Sequence, residues 1–462
     1  MVNQMSLTEG SIRPQLLRIA VPMSVGLFFN TLFNVVDTFY AGRLGTEALA
    51  GMSASFSVFF IQNALLSGLA TGVSALMAQA LGRKDPVAIQ RLKITGLALI
   101  VSLSLLLTIA GLIASPWLLY VLGARDLALS EGSRYVRTIY AGSLFWGINA
   151  SLHAILSAHG QTRPYRNFLV IGFFLNLILD PLFIFGWLGL PRMGTMGVAL
   201  ATVLVQAMGT VYLAWQVSKN RVFQAEDLVL SQVRLKAAGD ILTQGIPAAL
   251  NMLTIALGVF VINWFIYRFG SDAATAGYGV AVRIEQLALL PALGLNTATL
   301  AMVGQNAGAG KHDRVREVYH ISLQLGALIM TIGMALLYPL APWLIALFNQ
   351  DPDVIAEGTS YLRIEFLALN AYVILNVCLS LLQGLKKPHY AVWIGLYRQI
   401  AMPILIFNLL GRILGLGLTG VWWGIVFTTW SGAVAAVLFA RFELKRIIPE
   451  PIQSPSFRQP PL

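Results

Sequence analysis

The sequence predicts an all-α integral membrane protein with twelve transmembrane helices in two parallel-repeat six-helix bundles around a central cleft. Three observations predict it. The chain is 57% hydrophobic and only 11% charged, whereas a soluble globular protein carries about 25% charged residues. Apolar runs able to span ~30 Å of hydrocarbon, roughly twenty residues each, recur twelve times. Finally, the segment 115–137 returns as 341–363. Pro116, Trp117, Glu131, Gly132, Tyr135 and Arg137 match Pro342, Trp343, Glu357, Gly358, Tyr361 and Arg363 at one offset of 226 residues.

The runs fall near 15–40, 53–80, 94–122, 134–159, 165–187, 195–217, 241–268, 277–304, 317–348, 357–384, 389–410 and 417–441. With the N-terminus inside, about 21 lysines and arginines lie at the N-terminus, the even-numbered exits and the C-terminus, against about 8 on the other side. Both termini are therefore expected in the cytoplasm. The first thirteen residues are polar and the run after them exceeds a signal-peptide core, so the first helix is expected to stay as an anchor. The organisation expected is a cytoplasmic N-terminus (1–14), an N-lobe (15–217), a cytoplasmic linker (218–240), a C-lobe (241–441) and a disordered proline-rich tail (442–462).

Two further segments repeat: MAQALGRKD (77–85) answers VGQNAGAGKHD (303–313), and GQTRPY (160–165) answers GLKKPHY (384–390). Six spans separate the copies, so the halves share one orientation and are related by an axis along the membrane normal. Such halves, facing each other across a cleft, are the architecture of a rocking transporter.

An aspartate at the centre of a spanning helix costs roughly 2.5–3.5 kcal/mol on insertion scales. Asp37 stands inside an otherwise apolar run, in NTLFNVVDTFYAGRLG, and so calls for a functional reason. Asn176 and Asp180, in the fifth span, share a helical face at i, i+4, and Asp37 could meet them across a bundle. Two carboxylates in a dry site do not both ionise cheaply, so the cluster is expected to hold a proton or to neutralise itself on a cation. Asp37, Asn176 and Asp180 thus form a candidate protonation or Na⁺ site. Aligning Pro22 with Pro247 sets Ile262 opposite Asp37, and aligning Pro181 with Pro403 sets Arg398 opposite Asn176 and Met402 opposite Asp180. On that alignment the acidic site belongs to the N-half alone.

Secondary candidates for the ion site or cavity are Tyr135, Thr202, Asn149 and His153, the last reading more readily as a packing residue. Pro22 removes a backbone hydrogen bond and permits a kink about four turns from Asp37. In the C-half the intramembrane charges are Arg283, Glu285 and Arg398, and Arg398 is expected to pair with Glu285 or Glu365 as a structural ion pair.

Several classes are excluded. The single cysteine, Cys378, rules out an intramolecular disulfide or a CxxC site. No GxxxxGK[ST] loop or HExxH helix occurs, so the chain is expected to be no enzyme and uphill transport would draw on an ion gradient. The net charge of +11 is spread between apolar runs, which argues against a nucleic-acid partner.

These residues resemble the multidrug and toxic compound extrusion (MATE) transporters of the multidrug, oligosaccharidyl-lipid and polysaccharide exporter superfamily. The resemblance is carried by IAVPMSVG with Pro22, NVVDTFYAGRLG with Asp37, GLATGVSALMAQALGRKD, NLILDPLFIFG with Asn176 and Asp180, and GVALATVL, and it covers nearly the whole chain. It is similar in particular to the prokaryotic DinF-like branch, whose acidic cluster lies in the N-lobe. The resemblance implies export of amphipathic or cationic drugs in exchange for H⁺ or Na⁺, by a monomer in the cytoplasmic membrane of a bacterium or archaeon, in contact with lipid. It implies no cofactor beyond the coupling ion. The rival readings are a lipid-linked precursor flippase of the same superfamily and a non-transporting membrane scaffold or receptor.

Overall fold

A computed structural model describes residues 6–224, 227 and 232–447. Seven helices build the N-lobe: α1 (Ile12–Gly42), α2 (Thr46–Gly82), α3 (Pro86–Val121), α4 (Asp126–Ala141), α5 (Ser143–Ala158), α6 (Arg163–Phe185) and α7 (Thr195–Lys219). Seven more build the C-lobe: α8 (Leu235–Phe269), α9 (Asp272–Gly308), α10 (His312–Ala346), α11 (Pro352–Phe366), α12 (Leu369–Gly384), α13 (His389–Ile413) and α14 (Gly417–Ile447). Ten of these are single helices long and apolar enough to cross a membrane. The pairs α4–α5 and α11–α12 bend by 48° and 49° and make twelve spans if each pair counts as one. The break lies at Gly142 in the first pair and at Leu367–Ala368 in the second.

The duplication is visible in the backbone. Left-handed residues end the loops at one face of the molecule, Lys84 and Gly160 in the first half and Gly310 and Lys386 in the second, again 226 apart. This face, called the inner end below, also carries the described N-terminal residues and the loops after α2, α5, α9 and α12. The shared helix ends at Ala158 and Gly384 shift the expected match of GQTRPY with GLKKPHY by two residues, so Gly160 answers Lys386 and not Gly384.

Small residues decide how closely the helices approach. A Cβ on Gly68 of α2 would strike Ala249 of α8, and one on Gly294 of α9 would strike Ala20 and Ser24 of α1. These two crossings join the lobes, and both lie in the inner halves of their helices. There α9 is buried on every face from Ala298 to Asn306, whereas Gly279, Arg283 and Gln286 form an exposed stripe nearer its other end. Among the described residues, direct hydrogen bonds between the lobes all lie at the inner end. The lobes thus close at the inner end and part toward the outer one. Helix α14 continues to Ile447, so the expected disordered tail cannot begin at 442; residues 448–462 lie outside those described.

Candidate functional site

Asp37 reaches the N-lobe interior from the outer half of α1, and the partners come from α6 and α7. Asn176 is the bridge: its Nδ2 donates to Asp37 Oδ1 at 3.0 Å and to Asp180 Oδ1 at 3.1 Å. Thr202 Oγ1 lies 3.4 Å from Asp37 Oδ2 while donating to Val198 O at 2.9 Å. All four residues are buried. One amide therefore serves two carboxyl groups, and its own Oδ1, with Asp180 Oδ2, has no hydrogen-bond partner. Buried polar atoms are rarely left unpaired, because each costs about 1–3 kcal/mol. The cluster leaves buried oxygens that a proton or a hard cation would satisfy, and oxygen is the donor type such cations take. Tyr135 of α4 stands within electrostatic reach of both aspartates.

The other N-lobe candidates fall elsewhere. Asn149 is saturated by α7: its Nδ2 donates to Gln206 O and Oε1 at 2.9 and 2.8 Å, and Thr210 donates to its Oδ1 at 2.9 Å. It clamps α5 to α7 and shares no hydrogen bond with the Asp37 cluster. His153 stacks on Tyr165 at 3.8 Å, a packing role. Helix α1 runs without interruption through Pro22.

The C-lobe corrects two expectations. First, Pro181 and Pro403 are not equivalent. Gly197 of α7 packs on Phe183 and Ile184, and Gly420 of α14 packs in the same way on Leu410 and Gly411, which sets Phe407 opposite Asp180 and Pro403 opposite Asn176. The π-helical turns Tyr397–Ala401 and Asn408–Ile413 inside α13 shift its register relative to α6. Arg398 and Met402 therefore do not occupy the places of Asn176 and Asp180. The same alignment puts Ile425 opposite Thr202, while Ile262 stays opposite Asp37, packed against the C-lobe core. The four polar residues of the N-lobe cluster become Ile262, Pro403, Phe407 and Ile425, and Phe407 packs edge-on against Phe265 at 5.2 Å.

Second, the N-half site is not the one buried acidic cluster among the described residues. Glu285 of α9 and Glu365 of α11 are both buried. Glu285 Oε2 accepts from Tyr361 at 2.8 Å, and Tyr372 stands beside both glutamates. The ion pair expected for Arg398 does not form within 4 Å among the described residues; its guanidinium lies over the Tyr372 ring at 5.4 Å, within electrostatic reach of both glutamates. Tyr278, Tyr361 and Trp422 pack on one another beside this cluster, with ring centroids 4.8–5.7 Å apart. Sequence reasoning missed Tyr361 as a partner, although its repeat match with Tyr135 was a signal for it. Arg283 sits apart, on the exposed stripe of α9.

A family model described as MatE matches residues 22–182 and 247–407, one stretch in each lobe. A probable multidrug resistance protein NorM of Thermotoga maritima is 26% identical over 421 residues, covering 90% of this chain and 89% of the relative. The FAD transporter of Shewanella oneidensis is 27% identical over 435 residues, covering 92% and 95%. The solved outward-facing conformation of a multidrug resistance MATE family transporter of the MOP superfamily superposes with a TM-score of 0.90 at 25% identity, covering 97% of this chain and 99% of that one.

Proposed function

The chain belongs to the MatE family, whose members are transporters and not enzymes, and from that premise we propose that it is a secondary antiporter. It is a multi-pass membrane protein and a multidrug efflux transporter of small molecules. In our reading it exports amphipathic or cationic compounds in exchange for H⁺ or Na⁺, as the two lobes rock about the cleft. The coupling ion exchanges at Asp37 and Asp180, positioned by Asn176. The observation that carries this is the single amide shared by two buried carboxyl groups, with buried oxygens left unpaired. Ion binding removes charge or an unmet acceptor from the dry interior of the N-lobe and so changes the stability of α1 against α6, the seam along which Asp37 meets its partners. Both termini then lie in the cytoplasm of a bacterial or archaeal cell, and the protein works as a monomer.

The test is purified protein in liposomes with a pH gradient and a Na⁺ gradient imposed separately. One of them drives uptake of a cationic dye in the parent and neither does in Asp37→Asn or Asp180→Asn. Equal transport by parent and variants would overturn the assignment.

A second reading concerns substrate charge. The likeness to an FAD transporter and the exposed Arg283 on the stripe of α9 both favour an amphipathic anion. Competition of dye efflux by a flavin nucleotide, lost in Arg283→Gln, would select it over the cationic class.

A further inference from the structure

Gln79 on α2 and Gln305 on α9 are repeat equivalents, and so are the groups they reach. Gln79 Nε2 donates to the carbonyl of Gly384, the last residue of α12, at 2.7 Å. Gln305 Nε2 donates to the carbonyl of Ala158, the last residue of α5, at 2.7 Å. Each bond crosses from one lobe to the other, and the offset of 226 that carries Gln79 to Gln305 also carries Ala158 to Gly384. Helix ends leave their last carbonyls without an intrahelical partner, and neither of these two accepts from the described backbone. Both amides are buried.

The backbones are arranged to let the amides reach. A Cβ on Gly82 would fall on the carbonyl oxygen of Gln305, and one on Gly308 on that of Gln79. Gly304 lies against its own repeat equivalent, Ala78. One tie lacks a counterpart: the N-terminal segment is fastened to the C-lobe by Asn306 to Leu7 O at 3.1 Å and Lys311 to Thr8 O at 2.9 Å. No hydrogen bond between the lobes is found at the outer end among the described residues.

We propose that Gln79 and Gln305 are positioning residues of the transport cycle, a reciprocal latch that holds the inner end shut while the cleft faces outward. The two bonds must break together for the cleft to open inward, because they join the same two units at symmetric points. This rests on the alternating-access reading above.

The test is the inter-lobe distance at the inner end. Val87 and Asp313 are exposed, repeat-equivalent residues at the starts of α3 and α10. Spin labels at Val87→Cys and Asp313→Cys, in a Cys378→Ser background reconstituted in nanodiscs without a gradient, should give one short distance by pulsed electron paramagnetic resonance. Gln79→Ala with Gln305→Ala should move the population about tenfold or more toward a longer distance, since each buried bond contributes a modest net stabilisation. Gln79→Glu with Gln305→Glu keeps the side-chain size. A protonated carboxyl donates to a carbonyl and an ionised one does not, so this pair should latch at low pH and open at high pH, and it decides the matter if the alanine pair does not fold. A parental distance distribution in the alanine pair, or a pH-independent glutamate pair, overturns the latch. Failure of gradient-driven uptake in the parent while the distances still respond would sink the antiport reading and leave the latch standing.

Discussion

Tyr135 and Tyr361 occupy the same place in the two repeats, and each stands against a buried pair of carboxyl groups drawn from different helices. Tyr361 donates to Glu285 of α9 at 2.8 Å, with Glu365 one turn along α11. Tyr135 lies within electrostatic reach of Asp37 of α1 and Asp180 of α6. Where the C-lobe carries Glu285 and Tyr372, the N-lobe packs Phe59 on Trp146, edge-on at 5.6 Å. Where the N-lobe carries Asp37 and Asp180, the C-lobe has Ile262 and Phe407. A duplicated scaffold thus holds charge on opposite sides of one conserved-by-repeat tyrosine, and the two lobes cannot respond alike to the same ion.

The two tyrosines should therefore differ on removal of the hydroxyl. Tyr361→Phe strands Glu285 Oε2 without its donor in a buried site, at an expected cost of about 1–3 kcal/mol. The Tyr135 hydroxyl makes no hydrogen bond among the described residues, and Tyr135→Phe should stay within about 0.5 kcal/mol of the parent. Thermal unfolding of the two variants in detergent checks the ordering.

The bridging amide gives a sharper functional contrast. Asn176→Leu keeps the size of the side chain and leaves Asp37 Oδ1 and Asp180 Oδ1 without a shared donor. Gradient-driven transport should fall about tenfold or more, since one such bond lost in a driven step corresponds to ~1.4 kcal/mol. Asn149→Leu, which breaks only the α5–α7 clamp, should lower thermal stability and leave the ion dependence of the remaining transport unchanged. Initial rates of dye uptake against imposed pH and Na⁺ gradients separate the two.

How much of this was legible in the sequence depended on whether chemistry sat within one helix or between helices. Asn176 and Asp180 share a face by spacing alone, and Asp37 announced itself by its cost in an apolar run. The span positions followed from hydrophobic length. The C-lobe cluster was hidden because Glu285 and Glu365 lie on separate helices, each with Arg398 as an apparent salt-bridge partner, and nothing local told that the guanidinium would stack on Tyr372 instead. The false match of Pro181 with Pro403 has a physical cause as well: π-helical turns shift the register of α13, and no composition signal marks them. Gln79 and Gln305 were visible as a repeated motif, but that each finds the carbonyl at the end of the other lobe's helix is a fact of packing.

Lys386 carries two local costs that one substitution removes. Its φ of 61° lies in the left-handed region, where a side chain with a Cβ costs about 1 kcal/mol relative to glycine. Burial, and secondarily the Arg83 guanidinium, holds its amine below the ordinary lysine value, with Asp240 opposing. The folded chain thus binds this proton less tightly than the unfolded chain does, so stability rises with pH from the lowered folded value up to the unfolded value. Lys386→Asn tolerates the left-handed backbone and removes the charge. It should raise stability by about 0.5–1 kcal/mol and flatten that alkaline rise, as measured by unfolding midpoints across pH.

Symmetric glycine pairs set the last prediction. A Cβ on Gly51 of α2 would meet Ala128 O at 2.5 Å and Gly132 N at 2.8 Å, and one on Gly277 of α9 would meet Gly358 N at 2.7 Å and Val354 O at 2.9 Å. In both lobes the contacts are with backbone, which cannot swing aside as a flexible side chain would, so Gly51→Ala and Gly277→Ala must each push two helices apart. The expected cost is about 1–3 kcal/mol apiece, the usual range for overpacking. The consequences beyond stability should differ. Separating α2 from α4 disturbs the helix that presents Tyr135 to the Asp37 cluster, whereas separating α9 from α11 pulls Tyr361 from Glu285. Each crossing also carries a buried hydrogen bond, Ser55 to Gly132 O in the first lobe and Tyr361 to Glu285 in the second, so combining Gly277→Ala with Tyr361→Phe should cost less than the sum of the two. A double-mutant cycle of unfolding free energies reads this coupling directly; strict additivity would mean that the α9–α11 crossing does not position the Tyr361 hydroxyl.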